Sequence, residues 1–548
     1  MQKTYSNPIY PYRKSADQEA QQPVHHPVII IGAGPCGMAA ALDLAKQGQA
    51  SIILDDNNTV SVGSRAICFS KRTLEIMDRY GCAQPMVEKG VTWQKGKVFF
   101  KQEKVYEFDL LPESGHKLPA FINLQQYYFE EYMVNQIAKE PLIDLRWMHK
   151  LVELDSSSED NQLKVETEEG VYALSCDYLL VADGANSKIR TELGLESKGQ
   201  VFQDRFLIAD VVMKADFPTE RWFWFDPEFH PNQSVLLHKQ ADDVWRIDFQ
   251  LGWDADPEEE KQEAKIRPRI EAMLGKDVEF ELEWASVYTF QCRKMDDFIH
   301  NRVIFMGDAA HQVSPFGARG ANGGVQSVEN LSWKLARVLK GQAPATLIES
   351  YNEERQHGAA ENILNSTRAT DFITPKNDIS RVFRDETLRL AKHYPFARSL
   401  VNSGRLSMPC DYQHSSLITK SSALNTGFDA GIAPGFVCLD APIRINGKDS
   451  WLLEQLGNRF VLLYNGEGID NDELKALAAI SDDLVLLDSR ELEDKEGMLA
   501  ERYCISGGQG YLIRPDQYVA AKFKQLNREQ VNNALQRALG YQSAQENP

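Results

Sequence analysis

The chain has 548 residues, 43% apolar and 25% charged, the composition of a globular protein large enough for about two to four domains. A net charge of -19 and a pI near 5.2 provide no basic excess to neutralise phosphates, which argues against nucleic acid or a membrane as partner. Eight cysteines lie scattered without a Cys-x-x-Cys pair, as expected of free, mostly buried thiols in a reducing cytoplasm, and no apolar run is long enough to span a bilayer. Residues 1–26 are polar and lack the apolar centre of a signal peptide, so we expect a flexible or surface-draped extension.

Val28-Ile29-Ile30-Ile31 is a buried-strand sequence that breaks at Gly32-Ala33-Gly34-Pro35-Cys36-Gly37 into a helix-like run. In this spacing Gly32 permits a tight turn, Gly34 lets backbone approach a pyrophosphate, and Gly37 lets helix and strand pack closely. A second strand, Ser51–Leu54, ends at Asp55, where a carboxylate can accept bonds from ribose hydroxyls. Strand, glycines, helix, strand and acid in this order imply an ADP-containing cofactor. Arg65 follows closely, and Gln125 or Gln126 opens a helix with apolar residues at helical spacing.

Strand-like segments then lead to Tyr178–Ala182, which runs into Asp183-Gly184-Ala185-Asn186-Ser187-Lys188-Ile189-Arg190, placing an acid at the carboxyl edge of a sheet. Residues 200–290 are aromatic-rich and strand-like, as expected of an inserted antiparallel sheet that walls an apolar pocket. Alternation along 245–250 puts Arg246, Asp248 and Gln250 on one strand face; with His238 they are the substrate-side candidates. A buried strand, Arg302–Met306, precedes Gly307-Asp308-Ala309-Ala310-His311. Glycines at 317, 320, 323 and 324 then open a long helix with a positive N-terminal end. No His, Cys and carboxylate cluster has metal-ligand spacing, and we expect no metal.

Together the three glycine-and-aspartate motifs resemble the single-component, FAD-dependent aromatic hydroxylases, the group of phenol hydroxylase and 3-(3-hydroxyphenyl)propionate hydroxylase, over about residues 25–400. The run 512–520 resembles their thioredoxin-like C-terminal domain. The resemblance implies an α/β fold: a Rossmann-like FAD-binding domain over 27–405 carrying an inserted β-sheet substrate domain (about 91–120 and 200–290), a linker over 406–435 and a C-terminal domain over 436–548. It implies that Gly32, Gly34 and Gly37 hold the pyrophosphate of FAD and Asp55 its ribose. Arg65 and Gln126 would lie near phosphates and ribityl chain, Asp183 near both FAD and NAD(P)H, and Asp308 at the ribityl hydroxyls. Pro315 would sit beside the reacting flavin edge, with Gly320, Asn322 and Gly323 near the pyrimidine ring.

The implied reaction is hydroxylation of a phenol or hydroxylated aromatic acid with NADH or NADPH and O2, through a flavin C4a-hydroperoxide. Two features depart from the family: Ser327 replaces a common carboxylate, and Arg319 replaces a glutamine between glycines. Two alternatives stand beside it. Trp222-Phe223-Trp224-Phe225-Asp226-Pro227 echoes a motif of flavin-dependent halogenases, and a flavin-bound sensor or assembly protein without turnover would also use the cofactor motifs. A homodimer is left open.

Overall fold

The computed structural model describes residues 4–157, 159–215, 217–401, 406, 408–420 and 428–541. Its organising sheet has eight strands, of which the central five are parallel. Val24–Ile31 lies between Ser51–Asp55 and Gly170–Val181, and the order continues to Ile143–Trp147 on one side and Val303–Phe305 on the other. Val28, Ile29 and Ile30 are fully buried, as residues covered on both faces of such a sheet are. Helices Pro35–Lys46 and Gly320–Leu339 pack together against it.

The N-terminal segment is draped over this domain from Tyr5 onward. Tyr5 stacks on Tyr127 at 4.1 Å and Tyr10 on Trp147 at 4.8 Å. Asp17 receives Arg146 at 2.7 Å and His26 at 2.9 Å.

A second, eight-stranded sheet is antiparallel except where Arg221–Phe225 pairs in parallel with Lys95–Phe100. Its long strands are Ser197–Met213 and Phe280–Met295, so it begins before residue 200 and ends after 290. Residues 91–120 divide between two sheets, because Val91–Trp93 pairs with Phe121–Asn123 in a separate three-stranded sheet. Alternation identifies a strand but not the partner it pairs with. One face of the large sheet packs Leu237, Ile247 and Phe249 with Ile266 and Ile270 of helix Glu263–Leu274. The other face, carrying Asp210, His238 and Arg246, is also buried. It meets the cofactor domain.

The C-terminal sheet has the order Leu484–Asp488, Phe460–Tyr464, Gly510–Ile513, Val519–Phe523, with one parallel pair and two antiparallel ones. It shares a core with the rest of the chain: Trp333 and Leu347 pack with Phe460, Leu512 and Val531. The expected linker lies partly outside the described residues, at 407 and 421–427; within it Tyr412 and Leu417 are buried.

A charged cluster crosses this junction. Arg514 forks onto Glu354 at 2.5 and 2.9 Å, and Lys334 reaches the same carboxylate at 2.7 Å, all three side chains having 0% exposure. Burial raises the pKa of Glu354, but Arg514 and Lys334 outweigh it and hold the carboxyl far below its usual range. Removing this charge strands buried Lys334. We therefore expect Glu354→Gln to lower unfolding stability by about 3–5 kcal/mol, read from urea denaturation; a loss under about 1 kcal/mol contradicts this account.

Candidate functional site

The three motifs meet through contacts that tolerate no side chain. A Cβ at Gly32, where φ is +105°, would come 2.6 Å from the Ala182 carbonyl oxygen, and one at Gly37 would come 1.9 Å from the Gly32 oxygen. The thiol of Cys36 occupies the space that a Cβ on Gly307 or Gly324 would enter, at 2.6 and 2.5 Å. The first helix start, the turn at 307–309 and the second helix start therefore form one packing unit. Gly34 differs: a Cβ there would meet nothing within 4 Å, so its backbone faces open space. Neither Pro35–Lys46 nor Gly320–Leu339 has a side-chain cap at its start. Their first-turn N–H groups and positive ends are left for a ligand.

Around these ends stand the other candidates. Asp55 accepts from Ala33 N at 2.5 Å and Asn57 N at 2.8 Å, which leaves each oxygen with spare acceptor capacity. Asp308 is solvent-accessible and its carboxylate bonds to no described residue. Protein nevertheless surrounds it, and this burial pushes its pKa up to about 6 against the pull of Arg65. An acid both accessible and enclosed lies in a cleft. Arg65 is exposed beside it. Pro315 is exposed and Gly320 half-buried at the mouth of the second helix.

Other candidates are engaged by protein. The Gln126 amide accepts from Ala66 N at 3.0 Å and donates to Glu130 at 2.7 Å, fixing the loop that bears Arg65. Asp183 Oδ2 accepts from Lys188 N at 3.0 Å, while its buried Oδ1 has no hydrogen-bond partner. Asn322 spends its side chain on Ser70, Thr73, Cys68 and Ala318, so it orients the helix start and offers a ligand only its backbone. Gly323 likewise has its oxygen bonded by Arg355 and Ser327. His311 contacts Ser327 Oγ at 3.1 Å, and burial with Arg355 nearby drives its pKa to about 3, so the ring is neutral.

This donor set fits a flavin dinucleotide. Such a ligand needs positive helix ends for its pyrophosphate and pyrimidine ring and acceptors for its sugar hydroxyls. The open backbone at Gly34, the two uncapped helices, Asp55 and the unpartnered Asp308 supply them.

On the sheet side, cross-strand register aligns Asp210, Arg246 and His238 in one row. Arg246 is fully engaged: it pairs with Asp210 at 2.8 and 2.9 Å and donates to the carbonyls of Ser64 and Arg65. It clamps the cofactor loop to the sheet. His238 Nε2 lies 3.5 Å from Asp248 Oδ2, too far for a good hydrogen bond, and both His238 Nε2 and Asp248 Oδ1 are buried without partners. Burial and the charge of Arg221 lower the His238 pKa to about 4. Gln250 Oε1 is used by Ser234 N at 2.9 Å. Trp222 and Trp224 pack on the opposite face of the sheet.

Two residues beside these needed the structure. Arg221 heads an otherwise aromatic strand, which was its only sequence signal, and Cys68 gave none; they meet at 3.8 Å. Arg319 lines a polar hollow with Ser70, Asn322, Gln326 and Asn362, and the missing side chain of Gly317 makes room for its guanidinium.

Known proteins resemble this chain in sequence and in fold. Over 518 residues the chain is 26% identical to a 3-(3-hydroxy-phenyl)propionate/3-hydroxycinnamic acid hydroxylase of Burkholderia cenocepacia, covering 90% of this chain and 93% of that one. It is 28% identical over 339 residues to a probable NADH-specific resorcinol 4-hydroxylase of Rhodococcus jostii, covering 60% and 62%. The flavin-dependent monooxygenase PieE, solved with FAD and substrate, superposes with a TM-score of 0.80 over 95% of this chain and 100% of that one at 19% identity, a likeness of fold. Aklavinone-11 hydroxylase, solved with FAD and aklavinone, gives 0.77 over the same shares at 20% identity. The FAD binding domain model matches residues 25–366, well over half of the chain, and this protein belongs to that family.

Proposed function

We propose that this protein is an FAD-dependent monooxygenase that hydroxylates a phenolic aromatic compound with NADH or NADPH and O2. The observation that carries the proposal is the convergence of Gly32–Gly37, the turn bearing Asp308 and the Gly320 helix start in one packing unit, with the polar face of the large sheet tied by Arg246 to the loop bearing Arg65. The Burkholderia and Rhodococcus hydroxylases named above support the aromatic substrate, and the second, NADH-specific by its name, supports the nicotinamide reductant. Nothing comparable supports a halogenase.

When bound, FAD supplies hydride acceptance and oxygen activation. The chain's residues bind, orient and shield. Gly32, Gly34 and Gly37 would admit the pyrophosphate to the first helix, Asp55 the ribose, and Asp308 with Arg65 the ribityl region. The N–H groups of Gly320, Ala321 and Asn322 would face the pyrimidine ring, that of Gly323 being taken by the Arg319 carbonyl at 2.7 Å, and Pro315 the reacting edge. Asp183 keeps one oxygen for either nucleotide. Neutral His238 presents Nε2, with Asp248 beside it, to a phenolic hydroxyl. Arg246 and Gln126 are positioning residues.

The deciding experiment is stopped-flow flavin reduction over a panel of phenols, with oxygen uptake and product mass. A ring product heavier by one oxygen supports the proposal. Flavin binding without substrate-stimulated NAD(P)H oxidation favours a sensor, and chloride-dependent product a halogenase.

Further outcomes follow from the site. Gly37→Ala drives a methyl group into the Gly32 carbonyl, so FAD affinity should fall about tenfold or more, measured by flavin fluorescence titration. Asp308 adds a pH effect. Its pKa is near 6 in the free protein, and accepting a hydroxyl hydrogen bond favours the ionised form. FAD binding then releases a proton, so affinity should rise as pH increases through 6 and level off above 7. Asp308→Asn should flatten that profile; an unchanged profile rejects the role.

A further inference from the structure

Arg221 is a buried cation whose counter-charge is missing. Its side chain is 4% exposed, at the head of the strand Arg221–Phe225. Its guanidinium carbon lies 5.8 Å from the ring centroid of Trp93 and 5.0 Å from that of Phe223. Nη1 reaches the Cys68 sulfur at 3.8 Å, and buried Nε has no partner. Among the described residues no carboxylate lies within ion-pair distance of it.

Neither acid of this face pairs with Arg221. Asp210 is taken by Arg246, and Asp248 approaches His238. A guanidinium enclosed without an anion is costly, since desolvation is compensated neither by charge nor by a full set of hydrogen bonds. Aromatic faces offset only part of that cost.

The position is on the ligand side. Trp222 pairs with Leu237, so Arg221 stands across from His238, which pairs with Arg246. Cys68, which Arg221 touches, offers its carbonyl to Asn322 at the start of the Gly320 helix. The row Arg221–His238–Arg246 therefore lies directly beneath the cofactor loop. Three buried polar atoms in this patch, Arg221 Nε, His238 Nε2 and Asp248 Oδ1, have no hydrogen-bond partner.

We infer that Arg221 is the recognition residue for a carboxylate carried by the aromatic substrate, bound through the open Nε–Nη2 edge of its guanidinium. With Nη1 turned to sulfur and Nε unpartnered, that edge remains, and its two parallel N–H groups match a planar carboxylate. The substrate is then an aromatic acid whose phenolic end lies toward His238 and the flavin. This inference rests on the hydroxylase function proposed above and adds the substrate's charge.

The test is equilibrium binding to the FAD-loaded protein, followed by flavin absorbance without reductant. The probes are hydroxybenzoates and hydroxyphenylpropionates, each against its primary amide. At least one acid should bind about tenfold or more tighter than its amide. Arg221→Gln should weaken that acid by about ten- to a hundredfold and its amide by less than about threefold. Arg221→Lys keeps a charge in the same place but loses the fork, and should weaken the acid by about tenfold. The inference fails if no acid outbinds its amide, if the preference survives Arg221→Gln, or if Arg221→Lys binds the acid as the wild type does. Product mass, measured separately under turnover, tests hydroxylation itself, so an acid that binds but is not oxygenated rejects the proposed activity and leaves Arg221 its role.

Discussion

Contact between main chains without intervening side chains is the constraint on which the site depends. Gly32 lies against Ala182, Gly37 against Gly32, and Cys36 against Gly307 and Gly324. A Cβ at Gly32, Gly307 or Gly324 would separate elements that come from far-apart parts of the chain, and one at Gly37 would push the first helix off its own turn. That closeness places two uncapped helix ends and two acids around one cleft. Affinity for a doubly charged pyrophosphate then needs no basic residue cluster, which reconciles an anionic ligand with a strongly acidic chain.

The large sheet solves a different problem. Both its faces are covered, so polar residues on the inner face must be satisfied by other protein groups or by a ligand. Arg246 is satisfied by Asp210 and two loop carbonyls, and in being so it fixes the loop bearing Arg65. His238, Asp248 and Arg221 are not. The difference separates a structural arginine from a ligand-facing one on the same face, although both are buried cations in strands flanking Ser234–Lys239.

The C-terminal sheet bears on the site through the Gly320–Leu339 helix. Arg72 and Arg79 grip Glu329 in the middle of that helix, and Arg72 also reaches the Asp516 carbonyl and the Gln517 side chain. Trp333 donates to the Asp516 carboxylate at 3.1 Å. Nearer the flavin end, Arg355 ties Tyr412 to Ser327 and to the Gly323 carbonyl. The helix that offers its N-terminus to the cofactor is thus anchored along its length by both halves of the chain. Ser327 fits this network because a hydroxyl can both accept from Arg355 and donate to the Gly323 carbonyl.

From sequence alone one could read the parallel sheet, its glycine turns and the acids at the strand ends, because each depends on neighbours within a few residues: β-branched runs, glycine spacing and helix starts act locally. The alternation of Arg246, Asp248 and Gln250 was legible in the same way. What that face looked onto was not, since a polar strand face reads identically whether it meets solvent or another domain. Only the tertiary structure decided that Arg246 is consumed by Asp210, that Asn322 orients rather than binds, and that Arg221 lacks a counter-ion. Those outcomes depend on which distant group comes within about 3 Å, a distance set by packing of whole sheets and carried by no local pattern.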